Sequence, residues 1–198
     1  MVVSAVGSCN ALESLWYLIG AMGDGTYYVT NDGHYVVEYG QKDRTWLETI
    51  ESKALCLGYR VFIVHHKGTY WKAKIYSKEF YNLTVETLSR LHEILTSLQE
   101  ELFKAYARGF FDAEGTITKH YRRTIRIRIA QKDRELLEMT AKRLRELGIS
   151  ATEPFLNDKH GVYVIQIPHH AVKKFMEVIG TEHPSKKARY LLLSQSLP

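Results

Sequence analysis

Cysteine is scarce in this chain of 198 residues, which contains only Cys9 and Cys56. Two cysteines at this separation match no metal-binding motif and make no disulfide framework, so we expect a reducing compartment. The first residues, MVVSAVGSCNAL, lack the basic and apolar segments of a signal peptide. No run approaches the roughly 18 apolar residues that a membrane helix requires. The sequence therefore predicts a cytoplasmic protein that does not bind a membrane.

Acidic residues are outnumbered in the second half of the chain. Residues 1–98 contain 9 Lys and Arg against 10 Asp and Glu, a net charge of −1, whereas residues 99–198 contain 18 against 12, a net charge of +6. A basic half of this kind predicts a polyanionic partner, most often nucleic acid. The charge is equally typical of an ordinary basic soluble protein, so it decides nothing alone.

What the chain does contain is an internal repeat. Asp24 and Glu114 are 90 residues apart, and the same offset relates three separate segments. A fixed offset indicates two copies of one structural unit, which we place at residues 10–98 and 99–198. The matching segments are Asp24-Gly25-Thr26 with Glu114-Gly115-Thr116, Gln41-Lys42-Asp43-Arg44 with Gln131-Lys132-Asp133-Arg134, and Leu57-Gly58 with Leu147-Gly148.

The periodicity of each copy predicts a helix, a hairpin, a second helix, a second hairpin and closing helices. Residues 124–129 alternate strictly between polar and apolar, as in a half-buried strand. Asn31-Asp32-Gly33 is a strong hairpin turn signal. This order predicts an α+β fold of two pseudo-symmetric units with antiparallel sheets. The expected helices are 11–23, 43–57, 84–97, 102–113, 133–147, 169–180 and 185–195, and the later strands are 59–65, 69–76, 150–156 and 161–167.

A carboxylate ends the first helix of each copy, at Asp24 and Glu114, directly before a glycine. Negative charge is unfavourable at that end of a helix, and a bound cation would compensate it. Small residues such as Gly23, Gly109 and Ala113 would let the two helices pack closely and bring both acids together. Oxygen ligands at that density suit Mg²⁺. The alternative is that both acids are solvated at ordinary helix ends.

The segments around these acids, YLIGAMGDG at 17–25 and ARGFFDAEG at 107–115, resemble the two motifs of single-chain LAGLIDADG homing endonucleases. The resemblance covers nearly the whole chain, including the hairpin after each motif and the Gln-Lys pair that follows. The second motif matches closely. In the first motif Ile19 stands where the family has Gly, and Gly20 follows one place later.

The resemblance implies that Asp24 and Glu114 bind the catalytic divalent metals, Mg²⁺ with Mn²⁺ as a substitute, beside the carbonyls of Gly23 and Ala113. Such a site implies metal-assisted hydrolysis of phosphodiesters. Asp112 corresponds to Met22 of the first copy, and we interpret it as a hydrogen-bonding residue of the helix end.

Polar side chains near the metals are also implied. Gln41 and Gln131 match the family's Gln position at a strand end. Lys72 and Lys74 are the candidates for a lysine that stabilises charge, although a solvated strand face or phosphate contact explains them equally well.

Strand alternation predicts which side chains meet nucleic acid. Ile125, Ile127 and Ile129 should face the core, so the residues between them should face outward, where Arg can reach guanine in the major groove. A solvated basic strand is the alternative. The first copy is less basic at the matching positions, which predicts an asymmetric target. The expected DNA-binding residues are Tyr28, Thr30, Val36, Glu38, Lys42, Lys119, His120, Arg122, Arg123, Thr124, Arg126, Arg128 and Lys132.

Because the repeat supplies both halves, we expect a monomer that is associated with the nucleoid. The resemblance implies that the two sheets form a DNA-binding saddle with the motif helices packed at its centre. It also implies an endonuclease that cuts both strands of a long asymmetric DNA target, as in the homing of an intron. Two alternatives stay open. One is a maturase that binds intron RNA and assists splicing. The other is a DNA-binding regulator with a dead site, a class that usually loses one of the two acids, whereas this chain keeps both.

Overall fold

The chain folds as two similar halves in the computed structural model, which describes residues 9–120, 124–157 and 159–195. The elements of the first half are α1 (Ala11–Gly20), β1 (Gly25–Val29), β2 (Tyr35–Gln41), α2 (Arg44–Cys56), β3 (Phe62–Lys67), β4 (Tyr70–Tyr76), α3 (Lys78–Ser89) and α4 (Leu91–Ser97). Those of the second half are α5 (Glu100–Glu114), β5 (Gly115–His120), β6 (Thr124–Gln131), α6 (Arg134–Glu146), β7 (Phe155–Asn157), β8 (Val162–Ile167), α7 (His169–Val178) and α8 (Pro184–Gln195).

Each half contains one four-stranded antiparallel sheet. The strand orders are β1-β2-β4-β3 and β5-β6-β8-β7, so the same topology occurs twice. The predicted α+β class is therefore confirmed. The closing helix expected at 84–97 is instead two helices, because the backbone leaves helical geometry at Arg90 (φ −116°, ψ 15°).

Equivalent residues begin and end the second helix of each half. The side chain of Asp43 caps α2 by accepting from the backbone N–H of Thr45, and Asp133 caps α6 by accepting from that of Leu136. Gly58 and Gly148 follow these helices with φ of +84° and +71°, a conformation that favours glycine. The repeated Asp and Gly positions thus fix the ends of both helices.

Helices α1 and α5 cross at two glycines in the middle of the molecule. A Cβ on Gly20 would lie 2.1 Å from the carbonyl oxygen of Tyr106, and one on Gly109 would lie 2.0 Å from that of Tyr17. Only glycine permits backbones this close. Gly20, one place later than the family pattern, therefore serves as the crossing residue of the first motif.

A change of helix type compensates for the displaced glycine. From Gly20 to Asp24 the chain forms a 3₁₀ helix, Ala21–Asp24, whereas Gly109 to Glu114 is regular α-helix. Four residues at about 2.0 Å rise cover about 8 Å, and five at about 1.5 Å cover about 7.5 Å. Both acids therefore lie at nearly the same height above the crossing.

The core face of each sheet is apolar and covered by helices. Ile125, Ile127 and Ile129 are all at most 3% exposed, as the alternation predicted. Helix α4 belongs by sequence to the first half, but its Leu91 and Leu95 pack in the core of the second. The two halves are therefore joined by shared packing as well as by the motif helices.

The cysteines form a disulfide between Cys9, just before α1, and Cys56, at the end of α2. The expectation that two cysteines at this separation make no disulfide framework is wrong here. The inference of a reducing compartment loses its basis with it. Within the described residues, no helix combines the length and apolar character needed to cross a membrane.

Candidate nuclease site

The two acids occupy equivalent positions, each bonded to the glutamine of its own half. Nε2 of Gln41 donates to Asp24 at 2.8 Å, and Nε2 of Gln131 donates to Glu114 at 3.1 Å. The oxygen of each glutamine accepts from the next backbone N–H, that of Lys42 at 2.8 Å or Lys132 at 2.7 Å. These bonds fix which end of each amide faces the acid.

The motif crossing also brings the two acids close to each other. A Cβ on Gly23 would lie 2.6 Å from Oε1 of Glu114, so the backbone beside one acid contacts the carboxylate of the other. Burial raises the pKa of Asp24 to about 6. Burial, and then the charge of Asp24, raises the pKa of Glu114 to about 7. Two partly buried carboxylates, one of which hinders the ionisation of the other, form a site that favours a cation.

The donors present fit a hard divalent cation. They are two carboxylates and the carbonyls of Gly23 and Ala113 beside them, and oxygen is the ligand that Mg²⁺ and Ca²⁺ prefer. Within the described ranges, no group of three or more His, Cys, Asp or Glu side chains could hold a metal alone. Backbone oxygens, water and substrate phosphate would therefore complete the coordination of a metal at the acid pair.

Lys186 on α8 is a site residue that the sequence did not reveal. Its ammonium donates to the carbonyls of Phe111 at 2.7 Å and Asp112 at 2.6 Å, at the end of α5. It lines a cleft together with Gln41 and Ala113. The only sequence signal is a Lys-Lys pair in a late helix, which has no counterpart in the first copy.

Asp112 is a fully buried carboxylate that links the motif helices to the segment before α8. It accepts from the hydroxyl of Tyr17 at 2.7 Å and from the backbone N–H of Glu182 at 2.9 Å, and also from the hydroxyl of Thr181. Burial raises its pKa. Nε1 of Trp46 donates in turn to Tyr17 at 3.0 Å. The interpretation of Asp112 as a hydrogen-bonding residue is confirmed.

Comparison with known proteins finds one similar family model and two similar homing endonucleases. Residues 101–180 match the family model described as a LAGLIDADG-like domain. The homing endonuclease I-ApeI of Aeropyrum pernix is 27% identical over 93% of this chain and 89% of its own length. The second half of the chain therefore resembles LAGLIDADG-like domains, and nearly the whole chain is similar to a homing endonuclease. The homing endonuclease I-DmoI of Desulfurococcus mucosus is 30% identical over 58% of this chain and 55% of its own length.

Solved structures of LAGLIDADG proteins share the fold. The crystal structure of I-DmoI in complex with DNA and Mn matches with a TM-score of 0.69 and 26% identity over 86% of this chain and 98% of that chain. These similarities support the predicted metal-dependent DNA endonuclease. The N-terminal LAGLIDADG domain of DUF199/WhiA matches with a TM-score of 0.65 at 19% identity, which shows the fold alone.

The outer face of the first sheet carries an ion cluster centred on Glu38. Its carboxylate lies 2.7 Å from Nζ of Lys72 and 3.4 Å from Nζ of Lys74, and it accepts from the hydroxyl of Tyr28 at 3.0 Å. Lys72 lines a cleft with Asp24, whereas Lys74 lies farther along the strand. Of the two candidate lysines, Lys72 is therefore the one that borders the same cleft as the motif acid Asp24.

Two residues of the first sheet that were predicted to contact DNA instead make contacts within the protein. Val36 is fully buried, because its neighbours across both adjacent strands, Tyr28 and Tyr76, share its face. The prediction that it contacts DNA is wrong for this structure. The hydroxyl of Thr30 accepts from the backbone N–H of His34 at 2.9 Å and so serves the β1–β2 turn.

The outer face of the second sheet is basic, as predicted. Arg126 donates to Gln166 on β8 at 3.2 Å, and its Nε is buried without a hydrogen-bond partner among the described residues. Arg128 lies on the same face and pairs with Gln166 in register. Thr124 begins the strand. Lys42, Lys119 and Lys132 are exposed. Arg122, Arg123 and the side chain of His120 lie outside the described residues.

Proposed function

We propose that this chain is a site-specific endonuclease that cuts both strands of a long asymmetric DNA target with the help of Mg²⁺. One observation carries the proposal: the helix crossing brings together two acids from two motifs, each bonded to the glutamine of its own half. A protein that binds DNA without cleaving it needs neither two partly buried acids nor the glutamines that orient them. The retention of both pairs also favours cleavage over a regulator with a dead site.

Asp24 and Glu114, with the carbonyls of Gly23 and Ala113, would hold the metal. When bound, divalent metal supplies an activated water and neutralises charge on the scissile phosphate and the leaving 3′ oxygen. The raised pKa of both acids means that the empty site tends to keep a proton. Gln41 and Gln131 oppose this, because an amide N–H bonded to the ionised carboxylate favours the charged form.

The pseudo-symmetry supports a role for one acid on each DNA strand. The two acids lie at nearly the same height above the crossing of α1 and α5, so one phosphate of each strand can meet an equivalent group. Because the single chain supplies both halves, we propose a monomer as the active form. Sedimentation with target DNA should give one chain for each site, and two chains would contradict the proposal.

The two sheets are expected to read unequal half-sites. The second presents Arg126 and Arg128, and the first presents the cluster of Tyr28, Glu38, Lys72 and Lys74. Arginine paired with a neighbouring amide is well placed for bidentate contact with guanine. Affinity should therefore depend more on the second half-site.

The test is cleavage of a plasmid that carries the joined sequences flanking the gene's own insertion site. Purified protein with Mg²⁺ should linearise that plasmid and leave a plasmid with a scrambled site supercoiled. No linear product in Mg²⁺ or Mn²⁺, together with stimulated splicing of the intron RNA, would favour the maturase alternative instead.

A further inference from the structure

Lys186 is seated against the helix that ends in Glu114. Its ammonium bonds the carbonyls of Phe111 and Asp112 at 2.7 and 2.6 Å in the last turn of α5, where the carbonyl of Phe111 also accepts from the backbone N–H of Gly115. A cation at this position also faces the negative end of the helix dipole. Two of its three N–H donors are thus used, and the group still borders the cleft beside Ala113.

The position of Lys186 is fixed by contacts of its chain neighbours with the other half of the molecule. Ser185 donates its hydroxyl to Asp43, the residue that caps α2. The ring of His183 stacks on that of Trp46 with 5.7 Å between centroids. The lysine is therefore held at the junction of the two halves, unlike Lys187, which is exposed on the same helix.

The charges of three carboxylates act on this cation. Burial lowers the pKa of Lys186 to about 8, while the charges of Asp112, Asp24 and Glu114 each act to raise it. The effect is mutual, because Lys186 acts to lower the pKa of Asp24 and of Glu114. The cation thus offsets part of the repulsion between acids that the motif crossing forces together.

We propose that Lys186 is a resident counter-ion of the acid pair, which stabilises the metal-free centre and lowers its affinity for divalent metal. The inference rests on the metal site proposed above. A cation fixed beside the acids repels a second cation that enters between them, because charges at a partly buried site are weakly screened. Lys186 is therefore a positioning residue that keeps the acids together until metal and DNA replace its charge.

The test is Mn²⁺ binding without DNA. Electron paramagnetic resonance measures the affinity, and thermal unfolding at fixed pH measures the stability with and without Mn²⁺. Lys186→Met removes the charge, Lys186→Arg keeps it, and Lys187→Met is the matched control. We expect Lys186→Met to bind Mn²⁺ about tenfold more tightly, to melt lower without metal, and to gain more in Tm from Mn²⁺. The other two variants should match the wild type.

The inference would be overturned if removing the charge of Lys186 did not increase the affinity for Mn²⁺. Unchanged or weaker Mn²⁺ binding by Lys186→Met would leave the lysine as a cap for α5 only. Should that variant not fold, Lys186→Gln keeps a donor for the carbonyls without the charge, and the same tightening is expected. Failure of the wild type to bind Mn²⁺ would contradict the proposed metal site itself, a distinguishable outcome.

Discussion

Gly23 contacts the side chain of Glu114, so the backbone of the first motif forms one wall around the acid of the second. A Cβ on Gly23 would lie 2.5 Å from Cγ and 2.6 Å from Oε1 of Glu114. The contact explains why small residues recur at the motif ends. Glu114 is therefore placed by the opposite motif as well as by its own helix.

Gly23→Ala should therefore weaken metal binding without unfolding the protein. The added methyl group pushes Glu114 away from Gln131, and disturbing an oriented ligand typically costs about 10–100-fold in metal affinity. The displaced atoms belong to a side chain that can move, so we expect a stability change below about 1 kcal/mol. Isothermal titration with Ca²⁺ and urea unfolding measure the two effects.

Gly109→Ala is the contrasting control for that experiment. Its Cβ would meet the backbone carbonyl of Tyr17 at 2.0 Å, and backbone cannot move aside as a side chain does. This variant should lose about 1–3 kcal/mol of stability or more. Equal stability losses in both variants would contradict the distinction between a crossing glycine and a site glycine.

The free energy of unfolding should depend on pH through the acid pair. The folded-state pKa values of about 6 for Asp24 and about 7 for Glu114 exceed the ordinary values of 3.8 and 4.5. The folded protein therefore binds these protons more tightly than the unfolded chain, and stability from these groups is lost as pH rises through about 4 to 7. The Asp24→Asn, Glu114→Gln double variant escapes this loss.

The measurement is Tm in EDTA from pH 4 to pH 8. The double variant should gain on the wild type as pH rises, and Mg²⁺ should restore the wild type at pH 8. Taking the difference removes contributions from other groups, such as His183, whose pKa burial lowers to about 4. A difference that stays constant with pH would show that the acids are not perturbed.

Glu38→Gln should weaken discrimination between target and unrelated DNA. Glu38 is 5% exposed and holds both Lys72 and Lys74, so removing its charge leaves two unpaired cations on the outer sheet face. One further phosphate contact would steepen the dependence of log K on log salt by about 0.9. Anisotropy titrations on both DNAs measure this slope, with Glu48→Gln as a surface control. An unchanged slope and unchanged discrimination would contradict the role of Glu38.

The disulfide should contribute measurably to stability. Cys9 and Cys56 are 47 residues apart in sequence, and closing a loop of that size typically stabilises a protein by about 2–4 kcal/mol. Urea unfolding with and without reductant should show the difference for the wild type and none for a Cys9→Ser, Cys56→Ser variant. Identical curves for the oxidised and reduced wild type would mean that the bond adds nothing.

The repeat and the family resemblance allowed both acids, both glutamines and the starts of both second helices to be predicted, because these features recur in the two copies of the sequence. Asp43 and Asp133 each cap a helix by accepting from a backbone N–H two or three residues later, so these helix starts depend only on nearby residues. The helix crossing at Gly20 was harder to predict, since the compensating 3₁₀ helix depends on packing against α5. Alternation assigned Val36 to the correct strand face but could not show that two tyrosines cover it.

Contacts between segments that lie far apart along the chain could not be predicted from the sequence. Lys186 reaches the site only because the segment around His183 docks on α2, and the repeat offers no matching residue in the first half. The disulfide likewise depends on the end of α2 lying beside the start of α1. Both contacts depend on tertiary packing, which leaves no periodic or compositional signal in the sequence.

The most direct test of the shared acid site is plasmid cleavage by Glu114→Gln and Asp24→Asn, each beside a gel shift in Ca²⁺. Both substitutions remove a charge and almost no volume, and Asp32→Asn, in the exposed β1–β2 turn, is the control. We predict that each site variant loses double-strand cleavage and still binds target DNA, because the sheets hold the duplex, whereas the control cuts normally. Full cleavage by Glu114→Gln would contradict the account and leave the repeated acids as features of helix packing.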